Sequence, residues 1–181
     1  MNLRKYLKVY KKFLHTSLAS ELEYKTNILV DLITAILSLV GSIFLLSIFF
    51  QNSGYIGGWK FEQALIIQAI YTILNGITNT WFNPNLTEIV KHIREGTLDF
   101  VLLKPIDSQF FISLKKINPS GFLEIMLGLL LLLFCIRINQ INLSLSFLSL
   151  SLITISCSIC ILYSLWSVSY THLTLPTTNR V

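Results

Sequence analysis

Long apolar runs constrain this chain more than any other feature. The run "ILVDLITAILSLVGSIFLLSIFF", Ile28 to Phe50, is long enough for one helical crossing of a hydrocarbon layer, which takes about 20 residues. Only 13% of the residues are charged, whereas about a quarter are charged in an average soluble domain. Hydrophobic residues make up 53% of the chain. We infer that lipid surrounds much of the protein.

Three more apolar runs follow, at Phe61–Phe82, Phe122–Ile138 and Leu143–Trp166. Between the first two runs, "QNSGYIGGWK" predicts a Gly-rich turn whose Tyr55 and Trp59 suit a membrane interface. The sequence therefore predicts an all-α integral membrane protein with about four transmembrane helices.

The N-terminal segment Leu3–Leu22 predicts an amphipathic helix that lies in the membrane interface. Its apolar residues recur at intervals of three and four, and its basic residues fall mostly elsewhere on the helix. The apolar residues are Leu3, Leu7, Tyr10, Leu14 and Leu18. A solvated basic helix is the alternative interpretation.

The distribution of basic residues predicts the orientation. They cluster before the first run and again between the second and third runs, whereas Lys60 and Arg137 alone occupy the opposite loops. Because cytoplasmic loops are enriched in Lys and Arg, the N-terminus and the segment Asn83–Gly121 are expected in the cytoplasm of a bacterial cell, the protein lying in its inner membrane. The net charge of +5 then reflects membrane orientation, and no nucleic-acid motif accompanies it.

Polar residues interrupt the second run. Asn75 and Asn79 are four residues apart and share a helix face. Polar groups in lipid need partners, so this face is expected to look toward protein or toward a water-lined path. Ordinary hydrogen bonding between helices and direct contact with a substrate both remain open.

The segment Asn83–Gly121, here called the insert, begins with a helix pattern. Its apolar stripe has helical spacing and consists of Leu86, Ile89, Val90 and Ile93. Asn85 is predicted to cap the helix N-terminus, with Glu88 at the reciprocal capping-box position, and Gly96 to end the helix in a left-handed turn. Lys91 and Glu95 are four apart and can pair on the polar side.

A helix of about ten residues is too short to be stable alone, so this one is expected to dock. The stripe is predicted to rest on the ends of the transmembrane helices, leaving the polar residues Lys91, His92, Arg94 and Glu95 to face the cytosol or another subunit. Apolar Leu98, Phe100, Leu102 and Leu103 follow, and Pro105 breaks any regular element. The insert is therefore interpreted as a docking element, with a plain interfacial helix as the alternative.

Four segments together resemble the type-two ABC exporter permeases: "SELEYKTNILVDL", "NTWFNPNL", "HIREGTLDFVLLKPIDSQF" and "LYSLW". The resemblance covers Met1 to Trp166. It implies a permease subunit with about six spanning helices that pairs with a second permease, identical or related, and binds two cytosolic ATPase subunits. It also implies an interfacial helix at Leu3–Leu22 and an ATPase-coupling element at Asn85–Asp107. The coupling contacts would be Lys91, Arg94, Glu95, Gly96, Asp99, Phe100, Leu103, Lys104, Pro105 and Asp107.

Enzymatic chemistry has little support in the residues. The chain lacks the phosphate-binding pattern G-x-x-x-x-G-K-[ST], so ATP and Mg²⁺ are expected only in a partner ATPase and no cofactor in this chain. Acidic pairs such as Glu21 with Glu23 lack an accompanying His or Cys cluster. Cys135, Cys157 and Cys160 fall inside apolar runs, where packing is expected and no metal site. A non-transporting membrane scaffold or assembly protein is the alternative function.

The C-terminal tail differs abruptly from the rest. Val168 to Thr177 matches, residue for residue, the translation of a common transposon-based sequencing adapter. We therefore expect residues 1–166 to be a truncated transmembrane domain and residues 167–181 to be a non-native tail, in which His172, Pro176 and Arg180 carry no function.

Overall fold

A computed structural model describes residues 3–23, 25–104, 106–139 and 145–174. Eight α-helices are found in this part of the chain, with one π-helical segment, Thr78–Phe82, between the third and fourth. The helices are α1 Leu3–Glu23, α2 Lys25–Ser53, α3 Phe61–Ile77, α4 Asn83–Arg94, α5 Leu98–Leu102, α6 Ser108–Leu114, α7 Ser120–Ile138 and α8 Leu145–Thr174.

Two segments in the described part are long and apolar enough to cross a membrane, Thr26–Gln51 and Ser120–Ile138. A shorter apolar stretch, Ser149–Leu165, lies within α8. None of the most apolar window of α2 is buried, so lipid or further helices must cover it. The protein is thus mostly helical with membrane-length helices, and the count of four spans stays a prediction.

A short hairpin joins α2 to α3 in the otherwise helical structure. Strands β1 Tyr55–Ile56 and β2 Trp59–Lys60 pair antiparallel, with Ile56 opposite Trp59. Gly57 and Gly58 both have positive φ, 57° and 85°, which a two-residue hairpin turn requires and which glycine adopts without steric cost. The Gly-rich turn predicted from the sequence is confirmed.

The helix of the second apolar run does not end before the insert. It continues from α3 through the π segment into α4, so the separate helix predicted to begin at an Asn85 cap is wrong. Pro84 has no N–H for the carbonyl four residues earlier, that of Thr80, which instead accepts from the Asn118 N–H at 3.0 Å. The wider π turn lets the helix pass the proline without stopping.

Helices α3 and α7 are packed closely along a line of small residues, here called the seam. Ala69, Ile73 and Gly76 of α3 and Thr80 of the π segment meet Gly121 and Gly128 of α7, and Cys135 on the same face of α7 is also buried. A Cβ added to Gly76 would lie 2.8 Å from the Ile125 backbone nitrogen, and one added to Gly128 would lie 2.9 Å from that of Ile73. Small residues of this kind let helix backbones approach in a membrane, where the hydrophobic effect contributes little.

The insert has its own small core. Ile89, Val101, Phe111 and Ile112 are buried together, and Phe13 of α1 and Tyr163 of α8 pack against them. The apolar stripe of α4 therefore packs on α5 and α6 and also on α8, and the core includes Phe82 at the end of the second apolar run and Tyr163 near the end of the fourth. Helix α6, which the sequence pattern did not reveal, supplies Phe111 and Ile112.

Helix α1 packs on this core through a polar-aromatic face. The Tyr6 ring contacts the Phe110 ring edge-on at 4.8 Å, and the Phe13 ring contacts the Phe111 ring at 5.5 Å. Leu7 and Leu18 remain exposed on the neighbouring face. The predicted amphipathic helix is therefore present, with its aromatic face on protein and part of its leucine stripe open.

Candidate functional site

The short helix α5 places two large apolar side chains in the open. Phe100 is 71% exposed and Leu103, which follows the helix, is 80% exposed. Val101 between them is only 4% exposed and lies in the core of the insert. Residues Leu98–Lys104, here called the tip, are thus held on the core of the insert by Val101 and Leu98, while Phe100 and Leu103 point outward. An exposed apolar pair on a fixed base is typical of a docking surface.

The turn before the tip holds it at a defined angle to α4. Gly96 has φ +65°, and the Thr97 N–H donates to the His92 carbonyl at 2.9 Å, the pattern of a left-handed helix stop. The prediction that Gly96 ends the helix is confirmed. His92 Nδ1 also lies 2.8 Å from Thr97 Oγ1, which ties the turn to the last turn of α4.

A groove runs along the outer face of α4. It has a volume of about 590 Å³ and is lined by Leu86, Thr87, Val90, Lys91, Arg94 and Glu95. Lys91 Nζ lies 4.0 Å from Glu95 Oε1, and both side chains are more than half exposed. Of the predicted contact residues, Lys91, Arg94, Glu95, Asp99, Phe100 and Leu103 are all exposed around this groove and the tip.

Asn85 and Glu88 do not form the predicted capping box. Asn85 lies inside the helix and is 1% exposed. Its side-chain amide connects α4 to the segment before α7. Its Nδ2 donates to the Trp81 and Lys116 carbonyls at 2.6 and 2.7 Å, and its Oδ1 accepts from the Lys116 N–H at 2.9 Å. Asn85 is therefore a buried clamp.

Glu88 lies in a cluster of cationic side chains on the inner face of the insert. Lys115 Nζ donates to Glu88 Oε1 at 2.9 Å, and Lys116 Nζ lies 3.7 Å from Oε2. The hydrogen bond from Lys115 lowers the pKa of the Glu88 carboxyl, and partial burial opposes that effect. His92 also joins this cluster, with Nε2 3.3 Å from Lys115 Nζ, so it does not face the cytosol as predicted.

Two other predicted contact residues have partners within the chain. The Asp107 carboxylate accepts from the Phe110 N–H at 2.8 Å and caps α6. Lys104 Nζ lies 4.0 Å from the centre of the Phe111 ring. Both residues therefore help to build the insert, and since both are also exposed, their predicted contact with an ATPase stays a prediction. Pro105 lies outside the described residues.

Asn75 and Asn79 share one partner across the seam, the carboxylate of Glu124 on α7. Asn75 Nδ2 donates to it at 3.0 Å and Asn79 Nδ2 at 2.9 Å. Asn83 extends the series, since its Nδ2 donates to Asn79 Oδ1 at 2.6 Å. Sequence reasoning did not assign Glu124 to this group, although a carboxyl group near a membrane span is itself a signal.

Residues from three of the segments quoted above meet at Tyr163. Its hydroxyl accepts from Gln109 Nε2 at 2.9 Å, and its ring lies 6.1 Å from that of Phe82. The last apolar helix, the insert and the second apolar run are thereby joined at one point. The insert is therefore connected to the membrane helices by contacts as well as by the chain.

Comparison with known proteins gives one match. The model of a family described as ABC-2 family transporter protein matches residues 36–178, more than three quarters of the chain. No curated protein and no solved structure matches. The matched range contains the seam, the tip and Glu124.

Proposed function

The chain belongs to the family of ABC-2 transporter proteins, and we propose that it is the permease subunit of an ATP-driven exporter. Membership of this family makes it a membrane-embedded, non-catalytic component that associates with ABC ATPases. The proposal adds the direction of transport, the coupling surface and the dimeric assembly with a second permease. It also adds the location, a bacterial inner membrane with the N-terminus in the cytoplasm.

The exposed pair Phe100 and Leu103 carries the proposal. These two side chains would enter a cleft on the ATPase, and the exposed polar residues Lys91, Arg94, Glu95 and Asp99 would surround them. Interfaces commonly have this arrangement, an apolar anchor within a polar rim. Gly96 would set the angle of the contact, while Lys104 and Asp107 support it from within the insert.

The continuous helix from Phe61 to Arg94 suits the transmission of force. When the ATPase subunits bind ATP and Mg²⁺ and close, they would move the tip, and α4 would pass this motion to α3. Because α3 and α7 touch along the seam, they would tilt together between inward-open and outward-open arrangements. Asn75, Asn79 and Glu124 would then either line the pathway or keep the helix pair in register.

Co-expression and co-purification with a candidate ABC ATPase tests the coupling surface. The double variant Phe100→Ala/Leu103→Ala is expected to lose most of the bound ATPase, because truncating a buried anchor typically costs 2 kcal/mol or more. The matched control is Tyr55→Ala/Trp59→Ala, which removes two exposed aromatic side chains from the hairpin. Equal recovery of the ATPase with both double variants would reject the proposed contact.

Cysteine labelling in intact cells tests the orientation. With the native cysteines replaced by serine, Leu103→Cys is expected to react with a membrane-impermeant maleimide only after lysis. Tyr55→Cys is expected to react before lysis. Labelling of Leu103→Cys in intact cells would place the tip outside and overturn the proposal.

The alternative, a non-transporting scaffold or assembly protein, predicts a different response. A permease should change the ATP hydrolysis rate of its bound ATPase when the tilt of the α3–α7 pair is blocked, for example by a cross-link between α2 and α3 where Gln68 Nε2 donates to Ser42 Oγ at 2.9 Å. A scaffold would bind the ATPase without altering that rate. Loss of hydrolysis on cross-linking favours the permease, and an unchanged rate favours the scaffold.

A further inference from the structure

A cavity of about 500 Å³ lies between α1 and the insert. Thr16, Ser17 and Ser20 form its wall on the α1 side. Lys104, Lys115 and Lys116 form its wall on the side of the insert. Hydroxyl groups thus face ammonium groups across a space large enough for a small polar group.

The charge in this cavity is unbalanced. Among the side chains that the structure describes, Glu88 is the single carboxylate in this lining, against three lysines, so two positive charges are in excess among them. The Glu88 carboxylate already accepts from Lys115 at 2.9 Å. Lys116 is farther, at 3.7 Å, and its side chain is 58% exposed. An excess of ammonium groups over carboxylates attracts an anion.

The positive charge of Lys104 is not cancelled by its neighbour, the Phe111 ring. Its ammonium group lies 4.0 Å from the centre of the Phe111 ring. An aromatic face attracts a cation but leaves its net charge unchanged. The ring therefore holds Lys104 at the cavity while its N–H groups stay able to donate to a ligand.

The α1 side supplies a neutral donor. The Ser17 hydroxyl oxygen accepts from the Ile117 N–H at 3.3 Å, which leaves the hydroxyl proton to donate. Phosphate oxygens accept hydrogen bonds from both ammonium and hydroxyl groups, and charge-assisted bonds of this kind are the stronger ones.

The position of the cavity favours a ligand at the membrane surface. The leucine side of α1 adjoins the aromatic side that packs on the insert, and Leu7 and Leu18 there are 53% and 44% exposed. A helix with this exposed apolar stripe and a basic face lies in the headgroup region of a bilayer. The cavity behind it would then open near lipid phosphates.

From this geometry we propose that the cavity binds a phosphate group, carried by an anionic lipid headgroup or by a free phosphate ion. The site adjoins the proposed ATPase contact, because Lys104 is the last residue of the tip, but its ligand binding needs no ATPase. Lys104 and Lys116 donate to the phosphate oxygens, Ser17 donates from the opposite wall, and Lys115 stays paired with Glu88.

Native mass spectrometry of the purified full chain tests this site. The chain is mixed in detergent with phosphatidylglycerol, with phosphatidylcholine or with inorganic phosphate. We expect saturable binding of one anion per chain. Phosphatidylglycerol alone would identify the lipid as the source, whereas saturation by inorganic phosphate would identify the free ion.

Variants that remove the lysine charges and variants that keep them decide whether the anion binds in this cavity. Each lysine near a phosphate contributes about fivefold to affinity, so Lys104→Gln/Lys116→Gln is expected to bind on the order of 30-fold more weakly. Lys104→Arg/Lys116→Arg should bind within about threefold of the natural chain, since arginine keeps the charge. Lys60→Gln, the same change at the hairpin, should bind as the natural chain does.

Three results would overturn the proposal. These are the absence of saturable anion binding, unchanged affinity in the double glutamine variant, and an equal loss of affinity in Lys60→Gln. Circular dichroism checks that each variant keeps its helix content. If the double variant does not fold, Lys104→Gln alone serves, with an expected loss of about fivefold.

Discussion

The seam between α3 and α7 and the tip of the insert differ in where their packing partners lie. In the seam, Gly76, Gly121 and Gly128 bring two backbones so close that an added methyl group would collide. In the tip, Phe100 and Leu103 extend away from the chain, with only Val101 between them buried. The seam is complete within the chain, whereas the tip leaves apolar surface for another molecule.

This difference predicts how the two regions respond to substitution. A change in the seam should alter the free energy of unfolding, because the partner surfaces are already in contact. A change at the exposed side chains of the tip should leave that free energy nearly unchanged and should act on association. Substitutions in each region test that division.

Gly121→Leu is expected to disrupt the seam. A Cβ at this position would meet Thr80, with the Thr80 backbone nitrogen 2.7 Å away, so α3 and α7 would have to separate. We expect a loss on the order of 3 kcal/mol or more in the free energy of unfolding, measured by titration with sodium dodecyl sulfate. The matched control is Gly41→Leu, where nothing lies within 4 Å. Equal stability of the two variants would refute the close approach.

Asn85→Ala is expected to destabilise the connection between α4 and the segment before α7. Three hydrogen bonds of its amide, two donated and one accepted, would be lost, and backbone groups of Trp81 and Lys116 would be left without these partners in a partly buried place. Leaving buried polar groups unsatisfied costs about 1–3 kcal/mol. Asn27→Ala, at an exposed position of α2, should cost almost nothing. If the two variants unfold alike in the same titration, Asn85 is not a clamp.

Glu124→Gln is expected to weaken the seam by less. The glutamine amide would keep one acceptor oxygen for Asn75 and Asn79 but place an N–H₂ group against their donors. Hydrogen bonds between membrane helices are worth about 0.6 kcal/mol on average, so a loss of roughly 1 kcal/mol is expected. Glu62→Gln, at an exposed position near the start of α3, is the control. A loss as large as that of Gly121→Leu would mean that the carboxylate does more than join the helices.

Much of the fold could be predicted from residue patterns. Apolar runs longer than a soluble helix needs, and the three-to-four spacing in α1 and α4, indicate helices without tertiary information. Gly96 also behaves as its position suggests, since a left-handed helix stop is a local property of the chain. These features depend on short-range rules.

The parts of the fold and of the site that could not be predicted depend on contacts between residues far apart in the sequence. Asn85 resembles a cap because Asn before an apolar stripe usually is one, yet the π segment carries the helix past Pro84. Its true partners, around Lys116, are 31 positions away in the sequence. The seam did leave a signal, the seven-residue spacing of Gly121, Gly128 and Cys135, which places small residues on one helix face. Which helix would meet that face could not be read from the spacing.

The smallest expected effect concerns pH and the cluster around Glu88. The pKa of its carboxyl is lowered from the ordinary 4.5, chiefly by the hydrogen bond from Lys115. Because the ionised form is favoured in the folded state, its contribution is complete above pH 4.5 and is lost as the pH falls through the lowered pKa. Partly exposed ion pairs contribute less than about 1 kcal/mol, so the natural chain should lose that much more stability on acidification than Glu88→Gln.

Glu95→Gln, whose carboxylate lies 4.0 Å from Lys91 in the open, should keep the acid dependence of the natural chain. If Glu88→Gln keeps it too, the inner cluster stabilises the insert no more than an exposed surface pair does, and the insert depends on its apolar core and on Asn85 instead.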